Sequence, residues 1–277
     1  MIKTAIQLKA KIRNVSGGDS KVAMTMIRVF FMERFLERVS MSAYKNQFVL
    51  KGGMLVSSLI GLNSRATMDI DATVQALPLT QEEIEKIVNE IGGIALGDNV
   101  SFEIKSIETI MDEFDYPGIR VHMEGKLDNL KQPIKIDIST DDVIIPRAVE
   151  YGYQLMFEDR DIELQSYNIE TLLAEKIQTI LSRGLANTRM RDFYDVYEIT
   201  HKKSFEGETL KAAFLATCEK RGTVFTSEQW QITIGDIESD IEMSERWNQF
   251  KKNNYYVEDI NFDEVMDSVR NLVDSIS

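Results

Sequence analysis

Asp69 and Asp71, one residue apart, are the residues of this chain whose types and spacing best suit chemistry. In a strand, residues i and i+2 point to the same face, so the two carboxylates converge. Converging carboxylates are hard oxygen donors and suit Mg²⁺. A lone Asp-x-Asp commonly marks a surface turn, but here Met68, Ile70 and Ala72 make the flanks apolar and a glycine pair, Gly52 and Gly53, precedes it. A glycine pair can be a plain strand-to-helix turn. At the start of a helix its N–H groups also favour phosphate, and the missing side chains allow close approach. In Pro133–Ser139, Lys135 and Asp137 share one face while Ile134, Ile136 and Ile138 share the other. If this strand lies beside the first, Asp137 joins Asp69 and Asp71. Three such carboxylates can hold two divalent metals, one gripping a triphosphate and one activating a hydroxyl, with Asp137 a candidate base. The chemistry expected is therefore on a nucleoside triphosphate. Arg65 and Thr67, just before the aspartates, either orient the turn or touch phosphate.

A second cluster lies more than a hundred residues on. Lys176 and Arg183 are seven apart and fall on one helical face. Lysine offers a phosphate a point charge, and arginine a two-pronged fork. Asp192 and Asp195, three apart, also share a face, as part of a site or of an ion-pair network. Phe193, Tyr194 and Val196 read as core, as does Cys218 with Phe214 and Leu215. His122 and His201 read as structural or exposed.

The elements that must position these residues follow from periodicity. Val22, Met26, Ile27, Phe30, Phe35 and Val39 predict a helix over 20–40, with Ser20 as its cap. Residues 46–51 predict a strand, 54–60 a short buried helix ended by Gly61, and 68–74 a second strand carrying the aspartates. Thr80 and Glu83 form a capping box before a helix that Gly92 and Gly93 stop. Strand-like runs follow at 100–110, 118–124 and 133–139, with turns at 115–118 and 128–129. Leu172, Leu173, Ile177, Ile180 and Leu181 form a helical stripe that Gly184 can end. Further helices are predicted at 191–201, 207–220, 232–251 and 261–276, and 253–256 reads as a loop. The period changes near 150–165, which divides the chain into 1–160, mixed α/β with N-terminal helices, and 161–277, helical.

Composition limits the options. The chain has 277 residues, 43% hydrophobic and 28% charged, as in ordinary globular proteins. No apolar run approaches the ~20 residues that span a bilayer, and the lysine-rich start is not expected to be a signal peptide. The single cysteine excludes an internal disulfide and a cysteine-based zinc cluster, and two histidines exclude a histidine-rich metal site. A cytoplasmic protein is the simplest expectation. Net charge is −13, unevenly spread. Residues 1–50 hold nine Lys/Arg against three Asp/Glu, and residues 226–277 hold four against twelve. Both are either solvated helix faces or, at the N-terminus, a face for a polyanion.

The ordered set Lys51-Gly52-Gly53, Gly61, Arg65-x-Thr67-x-Asp69-x-Asp71, Lys135-x-Asp137, Glu175-Lys176, Arg183 and Arg191-Asp192-Phe-Tyr-Asp195 resembles the AbiEii/AbiGii-type nucleotidyltransferase toxins. These belong to the DNA polymerase β-like nucleotidyltransferase superfamily. The resemblance implies an α+β, bilobed protein, a nucleotidyltransferase-type mixed sheet with flanking helices plus a C-terminal helical domain that completes the active-site cleft. It implies a toxin of a bacterial toxin–antitoxin or phage abortive-infection system. A cognate antitoxin, encoded alongside and typically a transcriptional repressor, would counter it. The activity implied is Mg²⁺-dependent transfer of a nucleotide from an NTP to an RNA, with tRNA acceptor ends the targets of related toxins. On the matching positions, Gly52 and Gly53 would form the phosphate turn, Asp69 and Asp71 the metal ligands, Lys176 the nucleotide contact and Asp192 a further essential acid. The wider superfamily often has serine where this chain has Gly53, so backbone N–H groups must replace a hydroxyl contact.

Three other functions are open on the residues. Asp71 with Phe102-Glu103-Ile104-Lys105 imitates a metal-dependent nuclease site, although this leaves the glycine pair and Asp137 without a role. The transferase could modify a protein hydroxyl instead of RNA. A nucleotide-binding module without catalysis is the third.

Overall fold

A mixed seven-stranded sheet forms around the glycine pair and the aspartates. In the computed structural model, which describes residues 1–61, 65–111, 117–224, 226–257 and 259–276, the chain divides into two compact units. The first comprises Met1–Ser58, Ala66–Asp142 and Val149–Ser166, and the second is built mainly from Tyr167–Ser277. The strands are β1 (Phe48–Lys51), β2 (Ile70–Val74), β3 (Ser101–Met111), β4 (Pro117–Leu127), β5 (Leu130–Thr140), β6 (Val149–Gln154) and β7 (Asp161–Ser166). Their order is β3-β4-β5-β2-β1-β7-β6. β2 runs parallel to β5 and antiparallel to β1, and β1 runs parallel to β7. Isoleucines 134, 136 and 138 are buried on one face of β5, leaving Lys135 and Asp137 on the other. The turn expected at 115–118 falls largely outside the described residues, and β4 begins at Pro117.

Helices α1 (Ala5–Ser16), α2 (Ser20–Met41) and α4 (Gln81–Gly92) pack in this first unit, with α2 against β5 and β7 and α4 against β3 and β4. α2 begins where expected, but its cap is Asp19, whose carboxylate accepts the N–H groups of Lys21 and Val22. Ser20 is instead the first helical residue. Thr80 caps α4 by accepting the Glu83 N–H. Strands β6 and β7 escaped the sequence reading. β7 lies just beyond residue 160 and pairs into the sheet beside β1, burying Ile162 and Leu164 between polar neighbours.

α2 carries ionisable groups into the core. Arg38 grips Asp98 with two hydrogen bonds of 2.9 Å, and Arg34 and Arg160 pair with Glu37 at 2.8 and 2.7 Å. Glu33 accepts the Met156 N–H at 2.9 Å, and burial pushes its carboxyl up to about 8. The folded chain therefore holds this proton up to about pH 8, whereas an unfolded chain releases it near 4.5. Between those values the native state binds more protons, so stability falls as pH rises, by roughly 1.4 kcal/mol per pH unit from this group. Glu33→Gln keeps the Met156 bond and should flatten that slope. Urea unfolding of both proteins from pH 5 to 8 checks it, and equal slopes would remove Glu33 as the cause.

The second unit holds α5 (Ile169–Arg183), α6 (Met190–Lys202), α7 (Gly207–Lys220), α8 (Ser227–Ser239), α9 (Ile241–Asn253) and α10 (Phe262–Asp274). α5 ends at Gly184, which has φ of 47°. The single helix expected over 232–251 is two. Asp240 is extended, and its carboxylate accepts the Met243 N–H at 2.8 Å, starting a new helix rather than continuing the old one. The loop expected at 253–256 is the end of α9 followed by a 3-10 turn. Helix α3 (Gly52–Ile60) leaves β1 directly, and most of it belongs to the first unit. No helix among the described residues is long and apolar enough to cross a membrane.

Candidate active site

Register places a row of charges across the centre of the sheet. Lys51 on β1 faces Asp71 on β2, Asp71 faces Asp137 on β5, Asp137 faces Arg120 on β4, and Arg120 faces Glu108 on β3. Asp69 sits in a bend just before β2, not within the strand expected over 68–74. Its carboxylate still joins the others: one oxygen each from Asp69, Asp71 and Asp137 lies within 4.8 Å of the rest. Three carboxylates in that compass repel one another, and burial first, then Asp69, pushes the Asp71 carboxyl up to about 6. An all-oxygen, strongly anionic donor set of this kind fits a hard divalent cation.

Basic side chains surround the set. Arg120 donates Nε–H and Nη2–H to the two Asp137 oxygens at 2.8 and 2.9 Å. Lys135 Nζ lies 2.9 Å from Asp69 Oδ2 and 3.4 Å from Asp137 Oδ2. Lys51 pairs with Asp142, which also accepts the Ser139 hydroxyl at 2.8 Å. Arg120 escaped the sequence reading, although a signal for it exists. Asp128 and Asn129 form a two-residue turn between paired strands, which pairs Leu127 with Leu130 and so Arg120 with Asp137.

The glycine pair meets the aspartates directly. Gly52 has φ of 60°, and a β-carbon there would lie 2.1 Å from Asp71 Oδ2. The Gly53 N–H donates to that same oxygen at 3.0 Å. The turn expected to face phosphate thus already holds a metal-ligand candidate, at the N-terminus of α3, where the helix dipole favours negative charge. Gly52→Ala should be doubly costly, through left-handed backbone strain and displacement of Asp71. We expect at least a tenfold loss of divalent-cation affinity together with a lower melting temperature. Cation titration and a thermal melt of the variant check both, and unchanged affinity would count against the contact.

Thr67, buried, donates to the Asp69 carbonyl at 3.3 Å and so orients the turn. Arg65 belongs to the second unit and departs from its candidacy as a phosphate contact. Its Nε and Nη2 donate to Asp195 at 2.6 and 3.0 Å, and both side chains are almost fully buried. Lys176 Nζ joins them, 2.6 Å from Asp195 and 3.0 Å from Asp192. Burial pulls the Lys176 ammonium down, but Asp195 and then Asp192 outweigh it, so it stays charged. Lys176 is thus not an open positive face with Arg183, which is only half-buried at the end of α5. Asp195 bears out the ion-pair alternative, and Phe193, Tyr194, Val196, Phe214 and Cys218 are core, whereas Leu215, expected beside Cys218, is exposed.

The nuclease alternative loses its geometry. Glu103 lies on β3, three strands from Asp71 on β2, about 14 Å by strand spacing. It pairs instead with Lys105 at 2.6 Å and with Lys126.

A mixed sheet that sets three carboxylates beside a glycine turn is the framework of a nucleotidyltransferase. A family model described as nucleotidyl transferase AbiEii toxin, type IV TA system, matches residues 34–268, and the chain belongs to that family. It is therefore a transferase of the toxin side of a toxin–antitoxin pair, and a cognate antitoxin follows from the family. No curated protein matches the sequence. Among solved structures, one described as a nucleotidyltransferase from H. pylori is similar over 89% of this chain and 93% of its own, with 14% identity and a TM-score of 0.47. JHP933 from Helicobacter pylori is similar over 91% and 93%, with 12% identity and a TM-score of 0.47. An antigenic nucleotidyltransferase-like protein from Paracoccidioides brasiliensis is similar over 73% and 92%, with 13% identity and a TM-score of 0.38.

Proposed function

We propose that the protein transfers a nucleotide from an NTP to the hydroxyl of an RNA acceptor, a tRNA, breaking the α–β phosphoanhydride and releasing pyrophosphate, and arrests growth by doing so. The observation that carries this reading is the convergence of Asp69, Asp71 and Asp137 within 4.8 Å beside the Gly52–Gly53 turn. Bound Mg²⁺ would supply charge neutralisation for the triphosphate and a lowered pKa for the attacking hydroxyl. Asp69, Asp71 and Asp137 would hold it. Asp71 is positioned by Gly53, Asp137 by the Arg120 fork, and Asp69 by the turn that Thr67 braces. Phosphoryl-type transfer needs mostly positioning and charge stabilisation, which a rigid sheet supplies. Lys176 and Asp192 keep the nucleotide-contacting and essential-acid roles that the resemblance gives them, as part of this proposal.

An RNA acceptor is supported by the N-terminal helix. Lys9, Lys11 and Arg13 on α1 are exposed, residues 1–18 contain no acid, and none of these cations has an ion-pair partner among the described residues. Such a surface attracts a phosphate backbone and releases counterions on binding.

Incubation with tRNA, Mg²⁺ and each labelled NTP tests the reading. Transfer lengthens the RNA and labels it. Label on a protein band instead would favour a protein hydroxyl as acceptor. Shortened RNA without label would mean cleavage, and NTP binding without transfer a binding module. Any of these three overturns the proposal.

A further inference from the structure

We propose that Lys135 is the built-in counter-cation of the aspartate triad: its ammonium holds the acidic set together without metal and is displaced when a divalent cation binds. This rests on the metal-site reading above and adds to it a competing ligand within the chain.

Three carboxylates with ligand atoms within 4.8 Å need compensating charge whenever no metal is present. Lys51 stands opposite Asp71 and attracts it, but its ammonium pairs with Asp142. Among the described residues, Arg120 and Lys135 form ion pairs with members of the set, and they do so differently. Arg120 approaches Asp137 alone, along the sheet, with a planar two-point fork. Lys135 bridges two members of the set, with Nζ 2.9 Å from Asp69 Oδ2 and 3.4 Å from Asp137 Oδ2. It can do so because it stands two residues before Asp137 on the same face of β5. A divalent cation such as Mg²⁺ takes carboxylate oxygens directly, at about 2.1 Å. It would therefore compete for carboxylates that the ammonium now engages, while also repelling it. Lysine suits an exchangeable role, because it is a compact charge on a flexible four-carbon stem, whereas the arginine fork is fixed by its two bonds. Metal entry then becomes the exchange of one cation for another, and the intrinsic affinity of the triad is masked by Lys135.

Two measurements on the full-length, metal-free protein test this. The first titrates Mn²⁺ alone, followed by its electron paramagnetic resonance, into the wild type and Lys135→Met. Removing a competing cation should tighten Mn²⁺ binding at least tenfold, whereas a lysine that merely supports the site would leave affinity equal or weaker. Equal or weaker affinity overturns the proposal. The second needs no variant. Acylation of Lys135 by an amine reagent, read by mass spectrometry, should rise several-fold when Mn²⁺ is added, because displacement frees the ammonium. Unchanged or lower reactivity overturns the proposal even if the variant fails to fold. If neither protein binds Mn²⁺, the metal-site reading itself falls. Binding by the wild type that Lys135→Met does not tighten removes only the counter-cation.

Discussion

Asp71→Asn should abolish nucleotide transfer, by about a thousandfold or more, while leaving the protein as stable as the wild type or more so. The two effects have one origin. Asp71 is the central carboxylate of the triad, between Lys51 and Asp137 in the sheet register. Losing its charge removes one of three anionic donors, and a metal typically contributes several kcal/mol to such a reaction, where each 1.4 kcal/mol is tenfold in rate. The fold loses little, because an asparagine oxygen can still accept the Gly53 N–H that now reaches Asp71 at 3.0 Å. The amide also relieves the desolvation and repulsion that push this carboxyl up to about 6. A folded-state value raised above the unfolded one means that the ionised group costs stability at neutral pH, and asparagine removes that cost. Labelled-nucleotide incorporation and urea unfolding, run on the same preparation, separate the two. Full activity would remove Asp71 from the metal set. Unfolding of the variant at low urea would mean that the carboxylate serves the fold instead.

How far such a site is legible in sequence depends on whether its contacts are local. The alternation Lys135-Ile-Asp137-Ile put Asp137 on the polar face of its strand, and the structure sets it opposite Asp71 as the strand phase requires. Even Arg120 follows from a local rule, since a two-residue turn at 128–129 fixes the partner of every residue in the hairpin. The strand Asp161–Ser166 was equally open to reading, because Ile162 and Leu164 alternate with polar residues; its shortness and its place at a change of period hid it. Long-range contacts are another matter. Arg65 sits four residues from Asp69, and that closeness suggested phosphate. Its partner is Asp195, 130 residues away, and no local pattern specifies that pairing. The surroundings of Glu33 are hidden for a similar reason, since the backbone N–H its carboxyl meets belongs to Met156, more than a hundred residues later.

The Arg65–Lys176–Asp195 cluster carries the largest expected effect on stability, and it also bears on what Lys176 does. Asp195 is fully buried, and burial alone would push its carboxyl up. Attraction from Arg65, then Lys176, outweighs burial and holds it below the usual range. A depressed carboxyl contributes stability that is present above the unfolded value and is lost as pH falls through the folded one, so the cluster should loosen only in acid. Asp195→Ala leaves a guanidinium and an ammonium buried together with that shared partner gone. Breaking a buried pair in this way costs about 3–5 kcal/mol. Lys176→Met is the contrasting variant. It leaves both Arg65 bonds to Asp195 intact and frees only Asp192, which is partly exposed and can take up water. It should therefore cost less than half as much. Both tryptophans, Trp230 and Trp247, lie in this helical unit, so their fluorescence during urea unfolding reads it selectively. If Lys176→Met matches Asp195→Ala in lost stability, the lysine is a structural member of the cluster and its nucleotide role falls. If it keeps most of the stability and loses transfer, the buried acid is the scaffold and the lysine the working group.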